Sequence, residues 1–393
     1  MKYIVDRPLC SGCGACENIC PVGAIKMEYD REGFIYPVVS EDKCIDCGAC
    51  GRVCPVNSIE KTEPRDYLKT YAGYSEDEAT ISGCTSGGFA TALSEIILND
   101  GGVVYGVKYA DDFIKSEYTR VDNKEGLSSL MGSKYVQSEK RDIFKSVKSD
   151  LAEGRFTLFV GCPCDVMALK AFLGREYDNL YTVELVCMGV TSYKIAEEYK
   201  KYTEKKNRAG LVYINARSKK CGWFVPTLEE RFDNGKIKTQ TLYASYLGYG
   251  SQVYNRPSCF KCKFRDRSGV ADFRVGDFWG IKEQDEFWNK RGVCCIFVRS
   301  ERGLSMMERL AAGGFKLFET DYKSATESNM SSLYNKSEKY VELRERFAGV
   351  FLEKGLVAAC RSTASLTFKL KRIIPRGMQS TLKKIYHKFV DKR

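Results

Sequence analysis

The sequence predicts an α+β or α/β protein in several parts: a small cysteine-rich N-terminal domain, a larger mixed α/β body, and a basic amphipathic helix at the end. Three observations carry that prediction. A twelve-residue cysteine pattern occurs twice in the first 55 residues, strand-like and helix-like runs alternate from about residue 66 to 320, and cationic residues pile up after residue 365. At 393 residues the chain is long for a single core, so two or three domains are expected. The expected boundaries are 1–62 for the cysteine-rich domain, 66–150 and 151–330 for two parts of the body, and 331–393 for a helical extension.

In the first domain "CSGCGACENICP" spans residues 10–21 and "CIDCGACGRVCP" spans 44–55; each reads C-x2-C-x2-C-x3-C-P. Three thiolates at this spacing wrap one face of a 4Fe–4S cubane, and the fourth, carried away by the proline, ligates the other cluster. Cys10, Cys13, Cys16 and Cys54 are therefore expected to hold one cluster, and Cys20, Cys44, Cys47 and Cys50 the second. Gly12, Gly14 and Gly48 would let the backbone bend and aim N–H groups at the sulfurs. A zinc site is the alternative, but zinc has no use for two interleaved tetrads that each end in Cys-Pro. Over its whole length this segment resembles a bacterial two-cluster ferredoxin. Such a domain passes single electrons, so the body has to supply the group that uses them.

The body opens after a polar linker, "EKTEPRDY" (60–67). Strands are expected at 67–75, 102–109, 156–160, 181–187 and 211–217, with helices at 85–102, 165–173 and 192–205. In "TSGG" (85–88), Thr85 and Ser86 are expected to cap the helix, while Gly87 and Gly88 leave its first N–H groups bare. A bare helix N-terminus suits a phosphate or pyrophosphate; an ordinary capped helix is the alternative. No dinucleotide-binding glycine fingerprint and no P-loop occurs.

Cys164 follows the strand 156–160, and Cys187 ends the next strand. In an open parallel sheet such positions converge on one crevice. "CFKC" adds Cys259 and Cys262, making four thiols, the number a cubane requires. A Cys259–Cys262 disulfide and a four-cysteine zinc site are competing readings. Cys162 reads as a small core residue or an auxiliary thiol, and Cys294 and Cys295, within the strand pattern "GVCCIFVRS", read as core. Cys84, Cys221 and Cys360 are given no role.

Six stretches in order, "TSGGFATAL" (85–93), "GSKYVQS" (132–138), "VGCPCDVMALKAFL" (160–173), "VELVCMGVTS" (183–192), "CFKCKF" (259–264) and "ADFRVGDFWGI" (271–281), resemble the coenzyme F-420 hydrogenase/dehydrogenase beta-subunit family. The resemblance implies a flavin-binding body with FAD and a third 4Fe–4S cluster, whose ligands would be Cys164, Cys187, Cys259 and Cys262. It also implies FAD contacts from Ser86, Gly87 and Gly88, with Lys134, Tyr135 and Gln137 nearby. The implied function is an iron–sulfur flavoprotein oxidoreductase. Electrons would pass between ferredoxin-type clusters and FAD, with hydride transfer to or from a ring substrate such as coenzyme F-420 or another conjugated acceptor. Asp277, Phe278 and Trp279 read as stacking groups or core, and Arg265, Arg267 and Arg274 as facing an anionic substrate tail or as solvated charge. The sequence departs from the family at Cys162-Pro163-Cys164-Asp165, where Thr-Pro-Cys-Gln is usual. It departs again at Cys187-Met188-Gly189, where a histidine often follows the cysteine, and this removes a proton donor or substrate contact.

Residues 366–393 hold nine Lys/Arg against one acid, so +8 of the net charge of +11 lies in the tail. The nearly balanced remainder argues against nucleic-acid binding. "STLKKIYHKFV" (380–390) sets an apolar helical face against a basic one, which fits a peripheral contact with an anionic membrane or a terminal helix packed on its own domain. The single histidine, His387, excludes histidine-based catalysis. Eighteen cysteines, with a cysteine motif where a secretory leader would stand, imply a cytoplasmic location. A ferredoxin-like or other redox donor is the expected protein partner. The other expected reading, from a different class, is a non-catalytic electron-transfer or adaptor subunit of a larger complex.

Overall fold

The computed structural model describes residues 4–59, 66–265, 269–332, 337–366 and 368. The linker 60–65, Arg267 and the expected tail helix over 380–390 lie outside the described residues.

Each cysteine repeat builds the same local device. Gly14 and Gly48 sit in the left-handed region and open the short helices Ala15–Ile19 and Ala49–Arg52, which carry Cys16 and Cys50. Cys54 precedes Pro55, the first residue of the helix Pro55–Ser58, a position where proline's missing N–H has no bond to forfeit. Between the repeats runs an antiparallel hairpin, Ile25–Tyr29 with Ile35–Val39.

The body is organised by one nine-stranded mixed sheet. From edge to edge its strands are Phe315–Thr320, Lys69–Ser75, Cys294–Val298, Phe273–Asp277, Leu180–Leu185, Thr157–Gly161, Val103–Tyr109, Ser116–Val121 and Ser138–Glu139. The four from Phe273–Asp277 to Val103–Tyr109 run parallel, flanked by antiparallel neighbours. Strands from both expected parts of the body thus join a single sheet. Neighbouring residues along a strand face opposite ways, and the two faces bury separate cores. Val104 and Leu158 pack with Phe89, Leu93 and Ile97 of the helix Phe89–Asn99. Val103 and Phe159 pack instead with Phe144 and Val166, from the helices Ile143–Ala152 and Pro163–Leu173.

The strand expected at 211–217 forms, as Leu211–Ser218, but in a separate three-stranded antiparallel sheet with Thr227–Phe232 and Ile237–Thr241. The physical reason is local. Asp233-Asn234-Gly235 turns the chain straight back, with Gly235 at positive φ and the Phe232 N–H bonded to the Lys236 carbonyl, so the nearest partner wins.

A third core joins the N-terminal domain to the body. The long helix Glu338–Thr363, kinked at Gly355, contributes Phe347, Phe351 and Leu356, and the hairpin contributes Phe34 and Tyr36. Cys360, from the same helix, is fully buried there as packing. Around this contact Arg344 pairs with Glu32, while Ser192 Oγ and Lys194 Nζ donate to the carbonyls of Glu32 (2.7 Å) and Arg31 (2.8 Å). Among the described residues no helix is long and apolar enough to cross a membrane.

Candidate functional site

Four of the repeat cysteines are buried and share one environment: Cys10, Cys13 and Cys16 from the first motif and Cys54 from the second. Burial pushes the Cys13 thiol up to about 12, with further contributions from Cys10 and Cys54. Cys16 is raised for the same reasons. A site that penalises bare thiolates is one where coordination to iron supplies the missing positive charge. The other set faces outward. Cys44 and Cys47 are exposed, and Cys50 and Cys20 are half-buried. Cys20 is held from its own side of the repeat, its sulfur accepting the Ala24 N–H at 3.2 Å.

The sheet sets up a second group of thiols. Thr157–Gly161 and Leu180–Leu185 are parallel neighbours with Gly161 opposite Glu184, so both chains leave the sheet at the same edge. Past the first strand, Cys162 is the N-cap of the helix Pro163–Leu173 and Cys164 lies in its first turn. Past the second comes Cys187. Cys259 lies in the short 3-10 turn Pro257–Lys261, and Cys262 ends it. Cys164, Cys187, Cys259 and Cys262 line one pocket, together with Leu9, Ser11 and Val56 of the N-terminal domain. Cys54, Cys164 and Cys262 also belong to a single apolar cluster with Val56, Met167 and Phe264.

Among the described residues no three His, Cys, Asp or Glu side chains converge at single-ion distance. A cubane bonds each thiolate to a different iron, so it asks for four thiols around a cage rather than at a point. Cys259 and Cys262 stand as separate thiols in the structure. The donor set and the pocket fit a 4Fe–4S cluster.

Burial raises Cys164 well above its ordinary value and pushes Cys259 up to about 12. Cys187 goes the other way, lowered by the neighbouring Cys162 and by the Gly189 N–H, which donates to its sulfur at 3.4 Å. Cys162 is half-buried rather than core and lies beside a candidate ligand. Asp165, at the departure from the family pattern, is balanced in place by Lys140 (3.1 Å) and the Tyr118 hydroxyl (3.0 Å). Arg265 Nη2 donates to the Cys259 carbonyl at 3.0 Å and so braces the cysteine loop. Arg274 is buried within the sheet, 3.8 Å from Glu184, and does not face a substrate tail.

The residues expected around a flavin divide. Ser86 does not cap the following helix, which begins only at Phe89 with Gly88 as its N-cap; its hydroxyl donates to the Val293 carbonyl at 2.8 Å. Gly87 is glycine for packing, because a Cβ there would strike the Gly73 carbonyl and come within 2.9 Å of the Cys294 nitrogen. Lys134 turns inward, donating to the Leu130 and Met131 carbonyls at 2.8 Å each, and desolvation lowers it to about 7. Lys219, which carries no motif in the sequence, is lowered to about 8 by desolvation; its Nζ donates to the carbonyls of Ser86 (2.6 Å) and Ile81. Two desolvated lysines near Cys84, held only by carbonyls, fit an anionic group.

Tyr135 is 37% exposed and lies near Arg217, Tyr243 and Asp277. Asp277 accepts from Trp223 Nε1 (2.7 Å) and Arg217 Nη2 (3.1 Å), and Trp223 stacks on Trp279 with ring centroids 5.2 Å apart. Phe278 is core, as is Cys295, its strand neighbour Cys294 packing on the opposite sheet face. Gln137 is not in this group. Its carboxamide is spent on the N-terminal domain, accepting from the Ile35 N–H (3.1 Å) and Arg256 Nη1 (3.0 Å).

Residues 155–321 match the family model for the C terminus of the coenzyme F-420 hydrogenase/dehydrogenase beta subunit. Residues 9–58 match the 4Fe–4S dicluster domain. The two matches lie in the same chain order, the 4Fe–4S dicluster match first and the beta-subunit match after it. A coenzyme F-420-dependent sulfite reductase of Methanocaldococcus jannaschii is 28% identical over 185 residues, 47% of this chain and 28% of that protein. The chain thus spans little more than a quarter of the length of that relative. An uncharacterized protein of the same organism is 23% identical over 348 residues, 80% of this chain and 90% of that one. Among solved structures, the xenon-derivatised F-420-reducing nickel–iron hydrogenase complex from Methanosarcina barkeri contains a similar chain. The identity is 18% and the TM-score 0.47, covering 73% of this chain and 94% of that chain.

Proposed function

We propose that the chain is an iron–sulfur flavoprotein oxidoreductase. Residues 1–62 would pass electrons from a redox-protein donor through two clusters to a third at Cys164, Cys187, Cys259 and Cys262. FAD in the body would exchange a hydride with a ring substrate such as coenzyme F-420 or another conjugated acceptor. The observation that carries this reading is the shared apolar cluster of Cys54, Cys164 and Cys262. It sets a candidate ligand of the ferredoxin domain against two of the body, a contact whose evident use is short-range electron transfer. A flavin accepts a hydride as two electrons and releases them one at a time, which is what such a chain of clusters needs.

The chain's own residues support the rest. Lys134 and Lys219 would place positive charge beside the anionic part of the flavin, and the Trp223–Trp279 pair offers an aromatic face held by Asp277. The exposed Cys44 and Cys47 mark the solvent-facing end of the path, where a redox partner would dock. Peripheral membrane contact through residues 380–390 rests on sequence alone. A truncation at residue 365 that bound anionic vesicles as well as the full chain does would remove it.

The test is iron, acid-labile sulfide and flavin per chain after anaerobic preparation, for wild type and for Cys259→Ala with Cys262→Ala. About twelve irons falling to about eight, with flavin present, is the expected result. About eight in both would confine clusters to the ferredoxin domain. A second reading, an electron-transfer subunit without its own substrate, is favoured by the exposed Cys44 and Cys47, which face outward where a partner would dock. Turnover of a hydride donor by the isolated chain separates the two.

A further inference from the structure

Arg256 stands between two sets of candidate ligands. Its side chain is fully buried. Nε donates to the carbonyl of Cys10 at 2.7 Å, and Nη1 donates to Gln137 Oε1 at 3.0 Å. On the other side its own carbonyl accepts the N–H of Cys259 at 2.9 Å. One residue thus holds the backbone of a cysteine in the ferredoxin domain and of a cysteine in the body. The guanidinium lies over the Tyr36 ring at 4.0 Å.

Its charge is not answered locally. Nη2 is buried without a hydrogen-bond partner, and among the described residues no carboxylate lies within ion-pair reach of it. Gln137, its side-chain acceptor, is neutral. Arginine stays protonated at every accessible pH, and a buried charge needs a counter-charge. Four thiolates around a 4Fe–4S core carry a net negative charge, and such a tetrad lies on each side of Arg256.

We propose that Arg256 is a positioning residue coupling the first ferredoxin cluster to the third. Its charge favours the reduced, more negative state of the flanking clusters, and its two backbone bonds fix the spacing of the Cys10 and Cys259 loops. The coupled event is one electron leaving one cluster and entering the other, with no bond or proton moved. This rests on the third-cluster reading above.

The test is a potentiometric titration, followed by EPR of the reduced clusters, on wild type, Arg256→Gln, Arg256→Lys and Gln137→Glu, with iron counted in each. In Arg256→Gln the iron content is expected to hold. The midpoint of at least one cluster should move negative by roughly a tenfold change in equilibrium, about 59 mV for one electron. Arg256→Lys should restore most of that shift. Gln137→Glu, which sets a carboxylate against an intact guanidinium, should move the same midpoint the same way. Unmoved midpoints in iron-replete Arg256→Gln overturn the proposal; if that variant fails to hold iron, unmoved midpoints in Gln137→Glu overturn it. About twelve irons with unmoved midpoints sinks Arg256 alone, whereas about eight irons in wild type sinks the third cluster and the coupling with it.

Discussion

Gly12 and Gly14 both lie in the left-handed region, at φ +68° and +76°, yet replacing each by alanine should have very different consequences. A Cβ on Gly12 would stand 2.7 Å from the Ile35 carbonyl and 2.9 Å from Arg256 Nη1, and closer still to the Gln137 amide. None of these can yield, because each is held by the interface just described. A Cβ on Gly14 meets nothing nearer than Lys140 Cβ, at 3.3 Å. The left-handed penalty, about 1–2 kcal/mol, applies to both, as does the loss of unfolded-state freedom. Overpacking, about 1–3 kcal/mol, applies only to Gly12. Gly12→Ala should therefore be destabilised by about 1–3 kcal/mol more than Gly14→Ala. Anaerobic guanidinium titrations read by the visible absorbance of the clusters give the comparison, as the midpoint difference multiplied by the common slope. Equal midpoints, or a worse Gly14→Ala, would refute the claim that the first cysteine loop is clamped by Gln137 and Arg256.

Three other outcomes are expected. Cys162→Ser should keep its iron, since the hydroxyl can replace the thiol donor to Cys187, whereas Cys164→Ser should lose about four irons; equal losses in both would make Cys162 a ligand. Glu32→Gln should cost about 1.5 kcal/mol, the lower end for a hydrogen bond to a charged group because the carboxylate is 25% exposed. A denaturant midpoint unchanged from wild type would remove Arg344–Glu32 from the docking of the ferredoxin domain. The third concerns Lys134, lowered from 10.5 to about 7. Between those values the unfolded chain binds a proton that the folded chain does not, so in flavin-free protein this residue's contribution makes stability rise with pH across the window and stay level below about 7. An anion bound beside Lys134 would return the proton. FAD affinity should then weaken as pH rises above about 7, by at most roughly tenfold per unit, and lose that component in Lys134→Met. Fluorescence titrations of FAD from pH 6.5 to 9 with parallel profiles for the two proteins would count against the anion assignment.

What could be read from the sequence depended on how far apart in the chain the cooperating groups stand. The backbone of the two cysteine loops was legible because motif spacing is local geometry, and the common sheet edge of Cys164 and Cys187 because strand ends of a parallel sheet meet there. The helix N-cap was misread at Ser86: the serine sits next to a plausible start, but the Val293 carbonyl, 207 positions away, claims its hydroxyl. Gln137 was grouped with Lys134 by proximity in one motif, whereas the Ile35 N–H, 102 positions away, claims its carbonyl oxygen. Lys219 and Trp223 had no motif at all. They enter the site from the small antiparallel sheet, whose hairpin signal at Asp233–Gly235 was present in the sequence but not used to separate residue 211 onward from the large sheet.

The divergence of the two repeats shows in what each cysteine loop packs against. At the position equivalent to Gly12 the second motif has Asp46, which takes the same left-handed conformation, at φ +55°. Backbone geometry is therefore common to both loops, and it is not what demands glycine at residue 12. Space is: the first loop is pressed against Ile35, Gln137 and Arg256, while the second leaves Cys44 and Cys47 exposed, with Ile45 61% exposed between them. The first cysteine loop faces the body and the second faces solvent. An electron passing between a soluble donor and the body would meet the Cys44 side first and the Cys54 side last, where the sulfur of Cys54 already shares its apolar surroundings with Cys164 and Cys262.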